Sequence, residues 1–169
     1  EGEHYTVRGH DGQPPCTPSP HPPFRLAGGG KKMLSLAARE ADIVGVNANM
    51  AAGVIDQRAG ASATVEATDE KLGWIREAAG DRFDDIELQT RVHMSQITDD
   101  PIGLAELMAP ALGLDAEAAL SSPHVLVGST GQCVETLLSW RERWGLTYIG
   151  LNEDSMVEFG PVVEALAGV

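Results

Sequence analysis

The residues best suited to chemistry form one run, Gly28, Gly29 and Gly30 followed by Lys31 and Lys32. The run comes after a short apolar stretch predicted as a strand, and apolar residues at helical spacing follow it. Glycines let a backbone approach a ligand closely, and the first N–H groups of a helix point outward with a partial positive charge. The run therefore predicts a pocket for a small anion, and phosphate is the leading candidate.

The two lysines strengthen this interpretation. Cations in the first turn of a helix oppose the helix dipole, so a pair of them at this position indicates a compensating anion. The local sequence leaves one alternative open, an ordinary glycine-rich turn with two solvated lysines. Known nucleotide motifs do not apply, because a Walker A loop needs glycine at Arg25 and a dinucleotide fingerprint needs glycine at Met33.

Composition and charge narrow the class of protein. The 169 residues are 43% hydrophobic and 22% charged, and the formal net charge is −13. These values describe a globular chain and argue against nucleic-acid binding, which needs clustered Lys and Arg. On an acidic protein the lysine pair is a local positive spot that suits a small anion.

The cellular context follows from what the sequence contains. No apolar stretch is long enough for a membrane span, and the first residues do not have the basic and apolar parts of a secretory leader. Cys16 and Cys133 lie far apart, which fits free thiols in a reducing compartment. We expect a cytoplasmic protein that does not bind membranes.

Strands and helices alternate along the predicted fold. Residues 1–23 hold six of the ten prolines, which predicts an extended lead-in, and the ordered fold begins at Phe24. The predicted strands cover 24–27, 41–47, 86–94 and 147–151. The predicted helices cover 33–41, 68–80, 100–113, 115–120, 129–145 and 154–167, and 48–67 is predicted as a connection.

This alternation predicts an α/β protein with a parallel sheet, either doubly wound or part of a (β/α)8 barrel. A closed barrel needs eight strands and about 250 residues, whereas four strands are predicted here. Because the chain also begins with Glu1 instead of Met, we expect it to be the C-terminal part of a larger protein.

Five segments, by their order and spacing, carry a resemblance to a known family. They read EGEHYTV, PPFRLAGGGKKMLSLAAREADIVGVNAN, EATDEKLGWIREAAGDRFDDIEL, SSPHVLVGSTGQCVETLLSWRERWGLTYI and EFGPVVEALAG. The chain resembles the luciferase-like flavin and deazaflavin oxidoreductases, in particular a mycobacterial-type branch described as F-420-dependent. Members of this family fold as a (β/α)8 TIM barrel. The resemblance implies that residues 24–169 are its C-terminal half, strands five to eight with their helices.

The resemblance also implies a cofactor site at the carboxyl ends of the strands. In this family the glycines after the fifth strand hold the phosphate of FMN or of the deazaflavin coenzyme F-420, which assigns Gly28–Gly30 as backbone donors. Lys31 and Lys32 are added on electrostatic grounds. Asn47, after the sixth strand, would face the same end of the barrel, with Asn49 close behind. An Asn that bonds its own backbone is the alternative there.

The resemblance implies hydride transfer between F-420 and a small organic substrate. An FMN-dependent monooxygenase is the first alternative. Two further alternatives remain. One is a non-catalytic half-barrel that serves as a binding or assembly module, and the other is a small doubly wound phosphate-binding domain. No catalytic acid or base is assigned. Half a barrel would expose two strand edges and an apolar inner face, so we expect a homo-oligomer or pairing with the missing half.

Histidines are interpreted as structural. His4 and His10 have no further ligands at a zinc spacing, so no metal is predicted. His93 and Met94 end a predicted strand and could line the mouth of a barrel, but a partly buried structural histidine is preferred. His124 is interpreted as a packing residue before an apolar triplet.

Aromatic and acidic side chains receive structural interpretations as well. Trp140 and Trp144 are four residues apart on one helix face, which indicates core or interface contacts. Glu66, Asp69 and Glu70 are interpreted as the solvated start of a helix.

Overall fold

A computed structural model describes residues 1–15, 17–18, 21–50, 53 and 57–168. The strands in this part of the chain are β1 Arg25–Gly28, β2 Ile43–Val46, β3 Glu87–Arg91, β4 Met94–Ile97, β5 Val125–Gly128 and β6 Leu146–Gly150. The helices are α1 Lys31–Glu40, α2 Gln57–Ala61, α3 Val65–Ala79, α4 Pro101–Met108, α5 Ala116–Ser121, α6 Thr130–Trp144 and α7 Gly160–Leu166. Cys16 lies outside the described residues.

The strands form two parallel sheets. The main sheet has the order β1-β2-β3-β6, and β4 pairs with β5 in a separate two-stranded sheet. Parallel strands need a crossover between them, and helices supply most of these connections. The predicted α/β class with a parallel sheet is confirmed, and the four strands of the main sheet are the four predicted from the sequence.

Two strand predictions are corrected. The predicted strand 86–94 is two strands, because pairing with β2 and β6 ends at Arg91 and pairing with β5 begins at Met94. His93 donates its backbone N–H to the carbonyl of His124 over 2.8 Å, which extends the β4–β5 pairing, whereas the N–H of Val92 still donates to Gly150 in the main sheet. The apolar triplet after His124 is itself a strand, β5, which the sequence analysis did not predict.

Several helix predictions are corrected. The predicted connection 48–67 contains helix α2, and the predicted helix 100–113 is α4 followed by a 3-10 turn at Ala109–Leu112. Helix α3 begins at Val65 because the side chain of Thr64 accepts the N–H of Ala67, whereas the sequence predicts a helix that starts at Thr68. Thr68 is inside the helix and donates its hydroxyl to the carbonyl of Thr64 over 2.8 Å. The predicted last helix is a short turn at Glu153–Ser155 followed by α7, which starts with proline in its first turn.

The hydrophobic core lies between the main sheet and its helices. Leu26, Val44, Leu88 and Leu146 are register partners on one face of the sheet. They pack with buried residues from α1, α3 and α6: Leu34, Ala37, Ala38, Leu72, Ile75, Cys133, Trp140 and Trp144. The core position predicted for the two tryptophans is confirmed, and Cys133 is a buried free thiol.

The opposite face of the main sheet mixes polar and apolar residues, whereas a wholly apolar inner face was expected from the sequence. Its alternating positions carry Arg25, Ala27, Ile43, Gly45, Glu87, Gln89 and Tyr148. The Arg25 guanidinium donates two hydrogen bonds to Gln89 Oε1, at 2.7 and 3.2 Å. The pair crosses over Gly45, where a Cβ would lie 2.8 Å from that oxygen.

Asp69 has a tertiary role that the sequence analysis missed. Its carboxylate accepts hydrogen bonds at 2.7 Å from the guanidinium of Arg143 and from Trp144 Nε1, which ties α3 to α6. The hydrogen bond from Arg143 is the main cause of the lowered pKa of Asp69. Asp69 is therefore not part of a merely solvated helix start.

We expect Asp69→Ala to lower the free energy of unfolding by about 1–2 kcal/mol, because it leaves the largely buried indole N–H without an acceptor. Glu70→Ala, at the exposed neighbouring position, is the control and should change stability by less than about 0.5 kcal/mol. Because the pKa of Asp69 is lowered, its contribution is fully present above its unfolded pKa and is lost as the pH falls through the folded value. Urea unfolding followed by tryptophan fluorescence measures both effects, and equal stability of the two variants would contradict the assignment.

No helix among the described residues is long and apolar enough to cross a membrane.

Candidate functional site

The loops after β1 and β2 lie side by side at the carboxyl edge of the main sheet. The backbone N–H of Asn47 donates to the carbonyl of Gly28 over 2.9 Å, which extends the pairing of the two strands by one step. The structure therefore brings the predicted glycine loop and the predicted Asn47 together. In parallel α/β folds, ligands bind at this edge.

The three glycines have different local surroundings. A Cβ on Gly29 would lie 2.5 Å from the Ala48 carbonyl carbon and 2.6 Å from Asn49 Cα, so only glycine fits against the second loop. A Cβ on Gly28 would lie 2.7 Å from the flexible side chain of Met33. Gly30 has no atom within 4 Å of the corresponding point, so the backbone there faces open space.

Helix α1 begins beside this open space without a side-chain cap. Gly30 is the N-cap residue, with extended backbone angles, and accepts the N–H of Leu34 through its carbonyl over 3.1 Å. The first turn contains no acidic residue. Since the first N–H groups of any α-helix have no partner within the helix, they remain suited to an anion.

The two lysines at the start of α1 are exposed. Lys31 Nζ lies 3.4 Å from a carboxylate oxygen of Glu77 on α3, so part of its charge is already balanced. Lys32 is on the next position of the same turn. The structure thus places both near the glycine loop, but it directs Lys31 toward the neighbouring helix.

Asn47 combines a held backbone with an unpartnered side chain. Its carbonyl accepts a hydrogen bond from Lys71 Nζ over 2.8 Å. Its side-chain Oδ1 is buried and has no hydrogen-bond partner within the described residues. The alternative in which Asn47 Oδ1 bonds its own backbone is therefore not what the structure contains. An unpaired buried acceptor is costly, which makes this oxygen a candidate contact for a ligand N–H or O–H.

Lys71 is a residue of this site that the sequence analysis missed. Its side chain is 2% exposed, and it donates to the carbonyls of Asn47 and Ser62. Burial lowers the pKa of Lys71 to about 8. The helical periodicity of α3 could have indicated this burial, because Lys71 lies on the same buried face as Leu72 and Ile75. A lysine on that face must meet internal acceptors.

The two histidines near the end of β3 differ in burial. His93 is exposed, and its ring centre is 5.6 Å from that of His124. His124 is 3% exposed, and its Nδ1 lies 2.9 Å from the carbonyl of Arg91. Arg91 itself donates to Asn152 Oδ1 over 2.8 Å. His124 is buried, as the packing interpretation predicts, but that interpretation did not include the hydrogen bond between its Nδ1 and the Arg91 carbonyl.

No group of three or more His, Cys, Asp or Glu residues that could hold a metal ion is found within the described ranges. His4 and His10 are exposed. They lie in the lead-in 1–23, whose described residues are all exposed and form neither a helix nor a strand.

Comparison with known proteins gives similar structures but no family model. No family model matches the chain, and no curated protein matches it. One similar solved structure is the coenzyme F420 dependent tetrahydromethanopterin reductase from Methanopyrus kandleri. It shares 18% identity over 83% of this chain and 48% of its own, with a TM-score of 0.51.

Two further solved structures are similar. A long-chain alkane monooxygenase shares 16% identity over 99% of this chain and 45% of its own, with a TM-score of 0.59. A riboflavin lyase, solved with modified FMN and its substrate riboflavin, shares 13% identity over 87% and 43% of the two chains, with a TM-score of 0.55. The chain thus spans about half the length of the structures it matches. At these identities the likeness shows the fold alone, an α/β fold with a parallel sheet.

Proposed function

We propose that this chain binds the phosphate end of a flavin-type cofactor at the Gly28–Gly30 loop and belongs to an oxidoreductase. In the preferred form the cofactor is the deazaflavin F-420 and the reaction is hydride transfer with a small organic substrate. The observation that carries the proposal is the uncapped start of α1, which faces open space at the carboxyl edge of a parallel sheet.

The polar groups present at this edge fit such a cofactor. The backbone N–H groups at the start of α1 suit the phosphate, with Lys31 and Lys32 adding positive charge on an otherwise acidic protein. Asn47 Oδ1, buried and unpartnered, suits a ring N–H or a sugar-alcohol hydroxyl of the same molecule. Gly29 brings the Asn47 loop within reach of the helix start, since any side chain there would push the loops apart.

When bound, the cofactor supplies the hydride chemistry, and the protein supplies binding and orientation. In this proposal Asn47 orients the cofactor ring or sugar alcohol through Oδ1. Lys71 acts as a positioning residue, because it holds the Asn47 carbonyl from inside the protein. Neither residue is assigned a proton transfer.

An FMN-dependent monooxygenase is the second candidate. The riboflavin lyase structure that shares the fold holds a modified FMN, and another structure of this fold is a monooxygenase. The same phosphate site would serve either cofactor, so direct binding must decide between them.

The proposal includes a partner for the main sheet. In the described sheet β1 and β6 are the edge strands, and their outer edges are open to further strands. We propose that residues 24–169, after the lead-in 1–23, form the C-terminal half of a barrel. A second copy or the remaining half of the barrel would complete it in the cytoplasm. The paired Arg25 and Gln89 would then lie in its interior.

Fluorescence titration of the chain with F-420 and with FMN in parallel tests the cofactor site. We expect saturable F-420 binding that Lys31→Glu weakens about tenfold, equivalent to about 1.4 kcal/mol. Glu77→Gln is the matched control, since it also breaks the 3.4 Å pair but leaves Lys31 free to meet the phosphate, so affinity should hold or rise. Asn47→Ala should weaken the intact cofactor but not inorganic phosphate.

Each other outcome has a defined meaning. Saturable binding of FMN alone would change the proposal to the monooxygenase. Failure of both cofactors to bind would contradict the oxidoreductase and favour a non-catalytic half-barrel. Equal loss of affinity in Lys31→Glu and Glu77→Gln would show that the ion pair matters only for structure.

A further inference from the structure

A second concave site lies next to the loop that follows β2. It is a cavity of about 290 Å³ between α2, the turn Ala109–Leu112 and the first residues of β4 and β5. Most of its lining is apolar, including Ala59, Ala63, Met108, Leu112 and Val125. The polar side chains in the lining belong to Ser122, His93 and His124.

The hydrogen bonds of Ser122 and His124 leave one buried acceptor. The Ser122 hydroxyl donates to the Ala63 carbonyl over 2.6 Å, so its proton is used. The His124 Nδ1 lies 2.9 Å from the Arg91 carbonyl, and a carbonyl only accepts, so Nδ1 carries the proton. Nε2 then presents a lone pair. It is buried and has no hydrogen-bond partner among the described residues.

The electrostatics keep this nitrogen an acceptor. Burial lowers the pKa of His124 to about 4, so the ring is neutral at pH 7. Leaving a buried acceptor without a partner is costly, and a donor that reached it would recover that energy. No lysine or arginine is among the described residues that line the cavity, and this lining is unsuited to the phosphate proposed for the glycine loop.

Size and chemistry together define the ligand class. An engineered apolar cavity of about 150 Å³ binds benzene, so a cavity about twice as large has room for two fused rings or a comparable aliphatic molecule. We propose that this cavity binds a small, predominantly apolar alcohol or phenol whose O–H donates a hydrogen bond to His124 Nε2. The site does not depend on the cofactor proposal, although Ala48 lines the cavity and also contacts the glycine loop.

Calorimetric titration of the chain with 2-naphthol and with 2-methoxynaphthalene tests this site. The two probes have similar ring systems, but only 2-naphthol can donate a hydrogen bond. We expect 2-naphthol to bind saturably and about tenfold more tightly. His124→Phe should remove this preference, because phenylalanine keeps a ring in place and deletes the acceptor.

A second pair of variants keeps the test decisive if His124→Phe fails to fold. Ala111→Phe adds bulk at the exposed rim of the cavity and should abolish binding of both probes. Leu107→Phe adds bulk at an exposed position that does not line the cavity, and it should leave binding unchanged. Neither variant should alter F-420 or FMN binding, which separates this site from the cofactor site.

Three results would overturn the proposal: no saturable binding of 2-naphthol, equal affinities for the two probes in the unaltered chain, or binding that survives Ala111→Phe.

Discussion

Gly29→Ala is expected to lower the free energy of unfolding by about 3 kcal/mol and to abolish cofactor binding. The added methyl would meet backbone atoms of Ala48 and Asn49 at 2.5 and 2.6 Å, and backbone cannot rotate away as a side chain can. Overpacking of this kind typically costs about 1–3 kcal/mol. We expect a loss of stability at the upper end of this range, because the loops after β1 and β2 must separate to relieve the steric clash.

Gly30→Ala is the matched control for this prediction. The position has open space around it and φ of −125°, so the methyl meets nothing and the backbone is unstrained. Alanine is a poorer N-cap than glycine, which limits the expected loss to about 1 kcal/mol or less. Chemical unfolding gives the stabilities, and fluorescence titration gives the affinities. Equal stability of the two variants would contradict the close packing described for Gly29.

Lys71 is expected to make stability depend strongly on pH in the alkaline range. Its folded pKa of about 8 lies below its unfolded value of 10.5. Between these values the unfolded chain binds more protons than the folded chain, so the free energy of unfolding rises with pH. We expect the unaltered chain to gain about 2 kcal/mol relative to Lys71→Met between pH 7 and pH 10.

The comparison isolates Lys71 because both proteins share every other titrating group. Lys71→Met also removes the donor to the carbonyls of Asn47 and Ser62, which should weaken cofactor binding through the position of Asn47. Lys32→Met is the control for the pH dependence of stability only, because it deletes an exposed lysine that makes no such buried contact. A difference between the chain and Lys71→Met that stays constant from pH 7 to pH 10 would show that burial does not perturb this lysine.

Much of the fold was predictable where neighbouring residues decide the structure. The capping box of Ser129 and Gln132 starts α6, and Gly145 ends it in a left-handed conformation, as the sequence pattern predicts. Asp100 and Pro101 start α4 in the same local way. The four strands of the main sheet were also found, because each is a short apolar run between helical segments.

Other elements depend on partners far along the chain. The break between β3 and β4 arises because one stretch of chain pairs with two different sets of strands. The role of Asp69 needs Trp144, which is 75 residues away. The burial of Lys71 and the spare acceptors on Asn47 and His124 depend on contacts between residues that are 24 or 33 positions apart in the sequence. No local pattern contains this information.

The sequence by itself determined the alternation of strands and helices, the parallel sheet and the position of the glycine loop before α1. These follow from hydrophobic spacing, caps and glycine, which act over a few residues. Only the tertiary structure decided that Gly29 is required by a neighbouring backbone, that Glu77 already balances Lys31, and that a cavity ends at an unpaired His124 nitrogen. The physical reason is that hydrogen-bond satisfaction and close packing are set between segments distant in sequence.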